Sequence, residues 1–376
     1  MRKISVLKQI FKDHPGSWDH DDVRPDLRSA IRRMLACGTG ELGKATYASL
    51  SGEELDIPYT CKGPACSSCA QRTILDWQLG LLSEFPNIPY AGVMFTMPSA
   101  LWLIFKENRH LVYELSSFAA NTLQEWADRQ HGARVQIFTV THTFGASLNF
   151  NPHVHLVVSS VGLDRSGNEL VWNVRWCSKA IEDALARLWR DSIVNYLLHA
   201  LDLGQISTTK SQSELRELLE YHRDLWFKVG ARQISSLDAV TKYISRYLRR
   251  LPIAEYKISS YDGERVQFWF IDKKTEKRVI QDCSAREFID LLIGQLPDRY
   301  RHGVRYYGLL APRSKGREFE VFLACLGKRR RPRPRRTPWR KLIWIKYRRD
   351  PLRASNGEIM EKVRWWLPGT REVASG

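Results

Sequence analysis

Two histidines one residue apart, His153 and His155, lie in the stretch QIFTVTHTFGASLNFNPHVHLVVSS (136–160). The run reads as a strand, and side chains at i and i+2 share a strand face. Both imidazoles therefore point one way, while Val154 points back into a core. Paired imidazoles on a rigid strand form a platform for a divalent ion. Residues 135–141 read as a second strand with His142 at its end. If 143–152 joins the two strands antiparallel, His142 can close a three-nitrogen site. On these residues alone, ordinary hydrogen-bonding strand histidines remain an open alternative.

A second group able to do chemistry follows about ninety residues on. Ser235 and Ser236 supply an N-cap and Asp238 a first-turn acid. The helix they open runs through Val240, Tyr243, Ile244, Tyr247 and Leu248 until Pro252 ends it. Tyr243 and Tyr247, one turn apart, emerge from one face, flanked by Arg246, Arg249 and Arg250. Their stripe is also the apolar one, so core packing competes with a chemical role. A tyrosine can attack a phosphodiester and keep its bond energy as a phosphotyrosine. Its ordinary pKa near 10 means that it needs help from a metal, the arginines or a base.

The third group is Cys61-Lys-Gly-Pro-Ala-Cys66-Ser-Ser-Cys69. A C-x2-C knuckle with a further cysteine five residues earlier suits tetrahedral thiolate ligation of Zn2+. Cys37 is the natural fourth ligand, with His14 or His20 as substitutes. Such a closed site is structural, and it would present Lys44, Lys62 and Arg72 to a phosphate backbone. Seven cysteines without a secretion signal favour metal over disulfides and an intracellular setting.

These groups need scaffolding, and 376 residues with 43% hydrophobic content supply a full core and two to three domains. The balance of 58 Lys and Arg against 41 Asp and Glu, a net +17, calls for a polyanion such as nucleic acid. Residues 328–349 hold 12 Lys or Arg and no acid, including Lys328, Arg329, Arg330, Arg331, Arg333, Arg335, Arg336, Arg340 and Lys341. At that density the free segment is expected to be extended, ordering on DNA with Trp339 as a stacking partner. No window has the length of a membrane span, and there is no GxxxxGK[ST] loop for a helicase. The elements read as strand near 91–97, helix 111–129, strands at 135–141, around the histidines and near 170, then helix 178–200. Residues 266–271 and 278–281 form a further strand pair, followed by a helix from 284 to 296, while 201–232 read as polar and helical. That order predicts an α+β class: an antiparallel sheet with helices on one face and the histidines on a central strand. A zinc-binding module at 1–88, a catalytic domain at 89–315 and a basic tail at 316–376 complete the division.

His-hydrophobic-His on a strand resembles the HUH signature, and YISRYLRR resembles its two-tyrosine form. CGTGELG, CKGPACSSCAQR, FTMPSAL, HTFGASLNFNPHVHLVV, YISRYLRRLPI and RYYGLLAP follow in the order of one group. From about residue 30 to 352 the chain is similar to rolling-circle insertion-sequence transposases of the IS-ninety-one type, with their ISCR relatives. The resemblance implies a catalytic Mn2+ or Mg2+ on His142, His153 and His155, with Tyr243 and Tyr247 as nucleophiles. One tyrosine would cut a transposon end, leaving a 5′-phosphotyrosine and a free 3′-hydroxyl; the other would serve the target or second end. Its implied partners are single-stranded DNA, end hairpins and a host helicase, in the cytoplasm at the nucleoid. An HUH replication initiator, a relaxase and a non-catalytic zinc-dependent DNA-binding protein are the competing readings. Two departures stand out. ASLSGEE replaces the extra cysteines usual between the positions of Cys37 and Cys61, and no cysteine pair follows Asp350-Pro351-Leu352.

Overall fold

In the computed structural model the described residues are 5–374 without 64–65, 70–79, 82, 248–251, 273–274, 297, 299–300, 302, 333–334, 336, 349 and 372. The side chains of 245–247, 342, 345–347 and 374 fall outside the description as well. The chain forms two compact units, one from 78–248 with 299–333 and one from 1–77, 249–298 and 334–376.

The unit containing the histidines is built on an antiparallel sheet. Its strands are β1 (Tyr90–Phe95), β2 (Arg134–Phe144), β3 (Phe150–Leu163), β4 (Leu170–Trp172), β5 (Val229–Ile234) and β6 (Val304–Gly308). The order is β6-β2-β3-β1-β5, with β4 paired to β3, so the histidine strand is central. β2 and β3 form one long hairpin whose connection is only 145–149, shorter than expected because both strands extend past the histidines.

One sheet face meets helices α1 (Leu115–His131) and α2 (Lys179–Asp202). Val93, Phe95, Ile137, Val154, Leu156 and Val158 are fully buried there with Leu123, Trp189, Ile193 and Leu197. Trp189 packs edge-on to Phe95 at 5.2 Å and donates its indole N–H to the Thr96 carbonyl at 2.9 Å. Ser178 caps α2 by accepting from Ile181 N–H. The polar stretch 201–232 resolves into α3 (Gln212–Tyr221), opened by a Ser211/Glu214 capping box, and then edge strand β5. VGARQI, with exposed Arg232 and Gln233, lacks the apolar alternation that marks a strand, so pairing with β1 and not a local pattern makes it one. Helix α4 (Leu237–Tyr247) starts where expected, Ser236 accepting from Ala239 N–H, and packs on β1, β3 and β5.

The other unit holds a four-stranded antiparallel sheet in which Lys44–Ala48 pairs with both Glu54–Pro58 and Glu361–Trp366. Leu352, Ala354 and Met360 form a small core there with Tyr47, Leu55, Ile57 and Trp339. The basic segment is not simply extended: Trp339–Tyr347 is a helix, ended by Arg348 at φ 53°. Trp339, edge-on to Tyr47 at 6.4 Å, packs the start of this helix against the small core. A three-stranded sheet (Ile258–Tyr261, Arg265–Ile271, Arg278–Ser284) with the helix Ala285–Ile293 completes the unit.

Candidate nuclease and zinc sites

Register brings the three histidines together. His142 stands directly opposite His153 across the β2–β3 ladder, and His155 lies two residues further along β3. Ring centroids are 5.5 Å apart for His142–His153, 5.2 Å for His142–His155 and 4.9 Å for His153–His155. One ligand nitrogen from each lies within 4.8 Å of the others. His153 and His155 are 7% and 5% exposed, and His142 is half-buried, stacked at 5.1 Å on Phe144. The His153 Nδ1 lies 2.7 Å from the Asn151 carbonyl, which only accepts, so Nδ1 carries the proton. Its Nε2 is then the lone-pair nitrogen, the tautomer in which a metal-ligating histidine is normally held. Three neutral nitrogens on one face fit a divalent transition ion, and nothing in their arrangement opposes one.

Tyr243 joins this face. Its ring is 6.4 Å from that of His155, only 5% exposed, and lies on β1 at Gly92. A Cβ at position 92 would meet Tyr243 Cζ at 2.7 Å, so glycine is what lets the ring sit against the sheet. Arg232, opposite Gly92 on β5, holds its guanidinium over the ring, 4.4 Å from the centroid. Neither residue was singled out from the sequence, because the strand pairing that places them is long-range. Val240 and Ile244 are buried on the same helix, so its apolar stripe and its first tyrosine do share one face. Tyr247 is one turn on in α4; its side chain and that of Arg246, with Arg249 and Arg250, lie outside the described residues.

Cys37, Cys61, Cys66 and Cys69 form one buried group. The Cys37–Cys69 and Cys61–Cys69 sulfurs are 3.6 and 3.7 Å apart. Four thiolates at about 2.3 Å from a tetrahedral Zn2+ would stand about 3.8 Å from one another, so the set fits the ion. Backbone N–H groups of Cys61 and Gly63 point at the Cys37 and Cys61 sulfurs at 3.3 and 3.4 Å. Hydrogen bonds from Cys37 and Cys61 pull Cys66 down to about 6 and push Cys69 below the usual thiol range. The alternative fourth ligands stand elsewhere. His14 Nε2–H donates to the Gly263 carbonyl at 2.7 Å, and His20 faces Asp22 at 3.5 Å. Lys44 is paired with Asp56 at 2.5 Å, and Arg72 lies outside the described residues.

The basic residues divide by what they touch. Arg330 faces Glu84 at 3.3 Å, and Lys328 donates to the Asn87 carbonyl at 2.6 Å. Arg340 grips Asp350 with two bonds of 2.7 and 2.6 Å. Arg329, Arg331, Arg335 and Lys341 are exposed, while Arg333 and Arg336 lie outside the described residues. Among the described residues no helix is long and apolar enough to cross a membrane.

Comparison with known proteins bears on both sites. Residues 9–97 match the family "Transposase zinc-binding domain" and residues 137–318 match the family "Putative transposase". The chain is 30% identical over 325 residues to the "Transposase for insertion sequence element IS801" of Pseudomonas savastanoi pv. phaseolicola, covering 82% of this chain and 77% of that one. It is 28% identical over 336 residues to the "Putative transposase y4qJ" of Sinorhizobium fredii, covering 85% and 84%. No solved structure matches significantly. The chain, with a zinc-binding cysteine module ahead of its transposase domain, belongs to the insertion-sequence transposases of the IS-ninety-one type.

Proposed function

We propose that the protein cuts and rejoins single-stranded DNA at transposon ends through 5′-phosphotyrosine intermediates, driving rolling-circle-type transposition. The observation that carries this reading is the meeting of His142, His153 and His155 with Tyr243 on one sheet face. The three imidazoles would hold Mn2+ or Mg2+, which supplies charge stabilisation at the scissile phosphate. The Tyr243 phenol oxygen attacks phosphorus, the bond to the 3′ oxygen breaks, and that oxygen leaves as a 3′-hydroxyl with the proton. Tyr243 is 5% exposed, so the entering strand must part Arg232 from the ring. Tyr247, one helical turn away, serves the second transfer, so two strands are exchanged without hydrolysis.

Labour is divided along the chain: 1–88 recognises the ends, 89–315 cuts, and 316–376 holds the phosphate backbone through its exposed cations. Arg246, Arg249 and Arg250 flank the nucleophiles and neutralise the cleaved strand. The end hairpins present the cut site, and a host helicase opens the duplex at the nucleoid. Labelled single-stranded end DNA with Mn2+ tests the reading. A covalent adduct that disappears in the Tyr243→Phe/Tyr247→Phe double variant supports it. Tight binding with no adduct on any end sequence would instead make the protein a non-catalytic DNA binder.

A further inference from the structure

The three-stranded sheet at 258–284 has two unlike faces. Val266 and Phe268 are buried, Phe268 with its ring 5.6 Å from Phe288 of the covering helix. The alternate residues Trp269 and Ile271 point the other way, and register sets Ile280 opposite Trp269 and Arg278 opposite Ile271. Ile280 is 57% exposed, and Tyr256, 73% exposed, lies 5.9 Å from the Trp269 ring. Arg278 and Lys257 sit over that indole at 4.5 and 5.3 Å. Neither forms an ion pair among the described residues. Asp282, on the same face, is already engaged by Arg265 at 2.8 Å and Gln267 at 3.1 Å.

An exposed apolar patch with aromatic rings, and with cations that have no carboxylate partner among the described residues, needs an occupant that is flat, apolar on its faces and anionic at its edge. A second copy of this face would bring like charges together. Unpaired nucleotides meet all three requirements: bases stack on aromatic rings and on guanidinium planes, and phosphates take the cations. Duplex DNA does not, since its bases are stacked on each other. We propose that this face is a stacking platform for unpaired DNA bases, with Tyr256 and Trp269 taking bases and Lys257 and Arg278 the adjoining phosphates. The proposal rests on the single-stranded substrate read above, and extends it to a surface more than a hundred residues along the chain from the histidines.

Full-length protein, checked for native circular dichroism, is titrated with oligothymidylate and with an abasic strand of equal length. Trp269→Ala and Tyr256→Ala are expected to weaken oligothymidylate binding about five- to a hundredfold, while abasic binding changes little. Trp269→Phe should restore most of the difference if stacking is its source. Lys257→Ala and Arg278→Ala should each lower the slope of log affinity against log salt by about 0.7 on both strands. Equal losses on both strands from the Trp269 and Tyr256 variants, or none, overturn the platform. So does a monomer–dimer shift in the Trp269 variant without a DNA effect, which assigns the face to a second copy. The adduct assay keeps the two readings apart. Base-dependent binding without adduct sinks the nuclease alone, and adduct with base-independent binding sinks the platform alone.

Discussion

At Gly92 the absence of a side chain is the structural feature. The Tyr243 ring occupies the space a Cβ would need, with its hydroxyl-bearing carbon nearest. Gly92→Ala should push the ring off its seat while leaving the β1 ladder intact. A displacement of about 1 Å at a reacting group can cost on the order of a hundredfold in rate. Adduct formation at Tyr243 is therefore expected to fall by that order, with a melting temperature little below that of the parent. A variant that cleaves normally would show that Tyr243 does not attack from this position. His153→Ala removes one nitrogen and leaves His142 and His155. It should raise the Mn2+ concentration needed for half-maximal cleavage at least tenfold, following the usual weight of a ligand or its supporting bond. Unchanged metal dependence would take His153 out of the site.

Single elements carry their own requirements. Strand β6 ends at Gly308 with φ +57°, where a Cβ would overlap the Val135 carbonyl oxygen that accepts from Leu309 N–H at 3.0 Å. Gly308→Ala combines a left-handed backbone with overpacking, and should destabilise this unit by about 2–4 kcal/mol in urea unfolding. Equal midpoints for variant and parent would refute that. In the helix Trp339–Tyr347, Arg340 of the first turn forks onto Asp350, just past the last turn. That guanidinium and Leu352 N–H hold Asp350 near 2, below its unfolded value of about 4. A depressed carboxylate gives stability that is complete above the unfolded pKa and is lost as pH falls through the folded one. Docking of the helix should thus be flat above about pH 4 and weaken between about pH 4 and 2. Because the pair is partly exposed, Asp350→Asn should cost no more than about 1 kcal/mol at neutral pH.

For the whole molecule, the net charge of +17 is the long-range term that favours a polyanion. Segments from the beginning, middle and end of the chain build one unit, where Glu361–Trp366 closes a sheet begun by Lys44–Ala48. Removing zinc should loosen the cysteine loops, because the ion's binding energy is folding energy for residues lacking their own core. Chelation is expected to expose 37–69 to protease first, with cleavage of the β1–β3 sheet delayed. Simultaneous digestion of both units would contradict this. Of the basic tail, Arg330 and Arg340 are spent on carboxylates, while Arg329, Arg331, Arg335 and Lys341 are among the exposed cations of the described residues. Changing these four to Ala should reduce the salt slope on single strands by as much as about 3, at about 0.7 for each phosphate lost.

Residue order alone specifies the local chemistry: a His-x-His strand, a capped helix with two tyrosines a turn apart, and a cysteine knuckle. Strand alternation and helical pitch make these relations readable without a fold. It also determined the central place of β3, because a long apolar strand is buried on at least one face. The motif order carried the family. Long-range pairings, which no local period encodes, come from the fold. These include the His142–His153 register, the polar edge strand that brings Arg232 over Tyr243, and the glycine that makes room for the ring. The helix in the basic tail belongs with them. Its charge pattern argued for an extended chain, and burial of Trp339 against Tyr47 outweighed that repulsion.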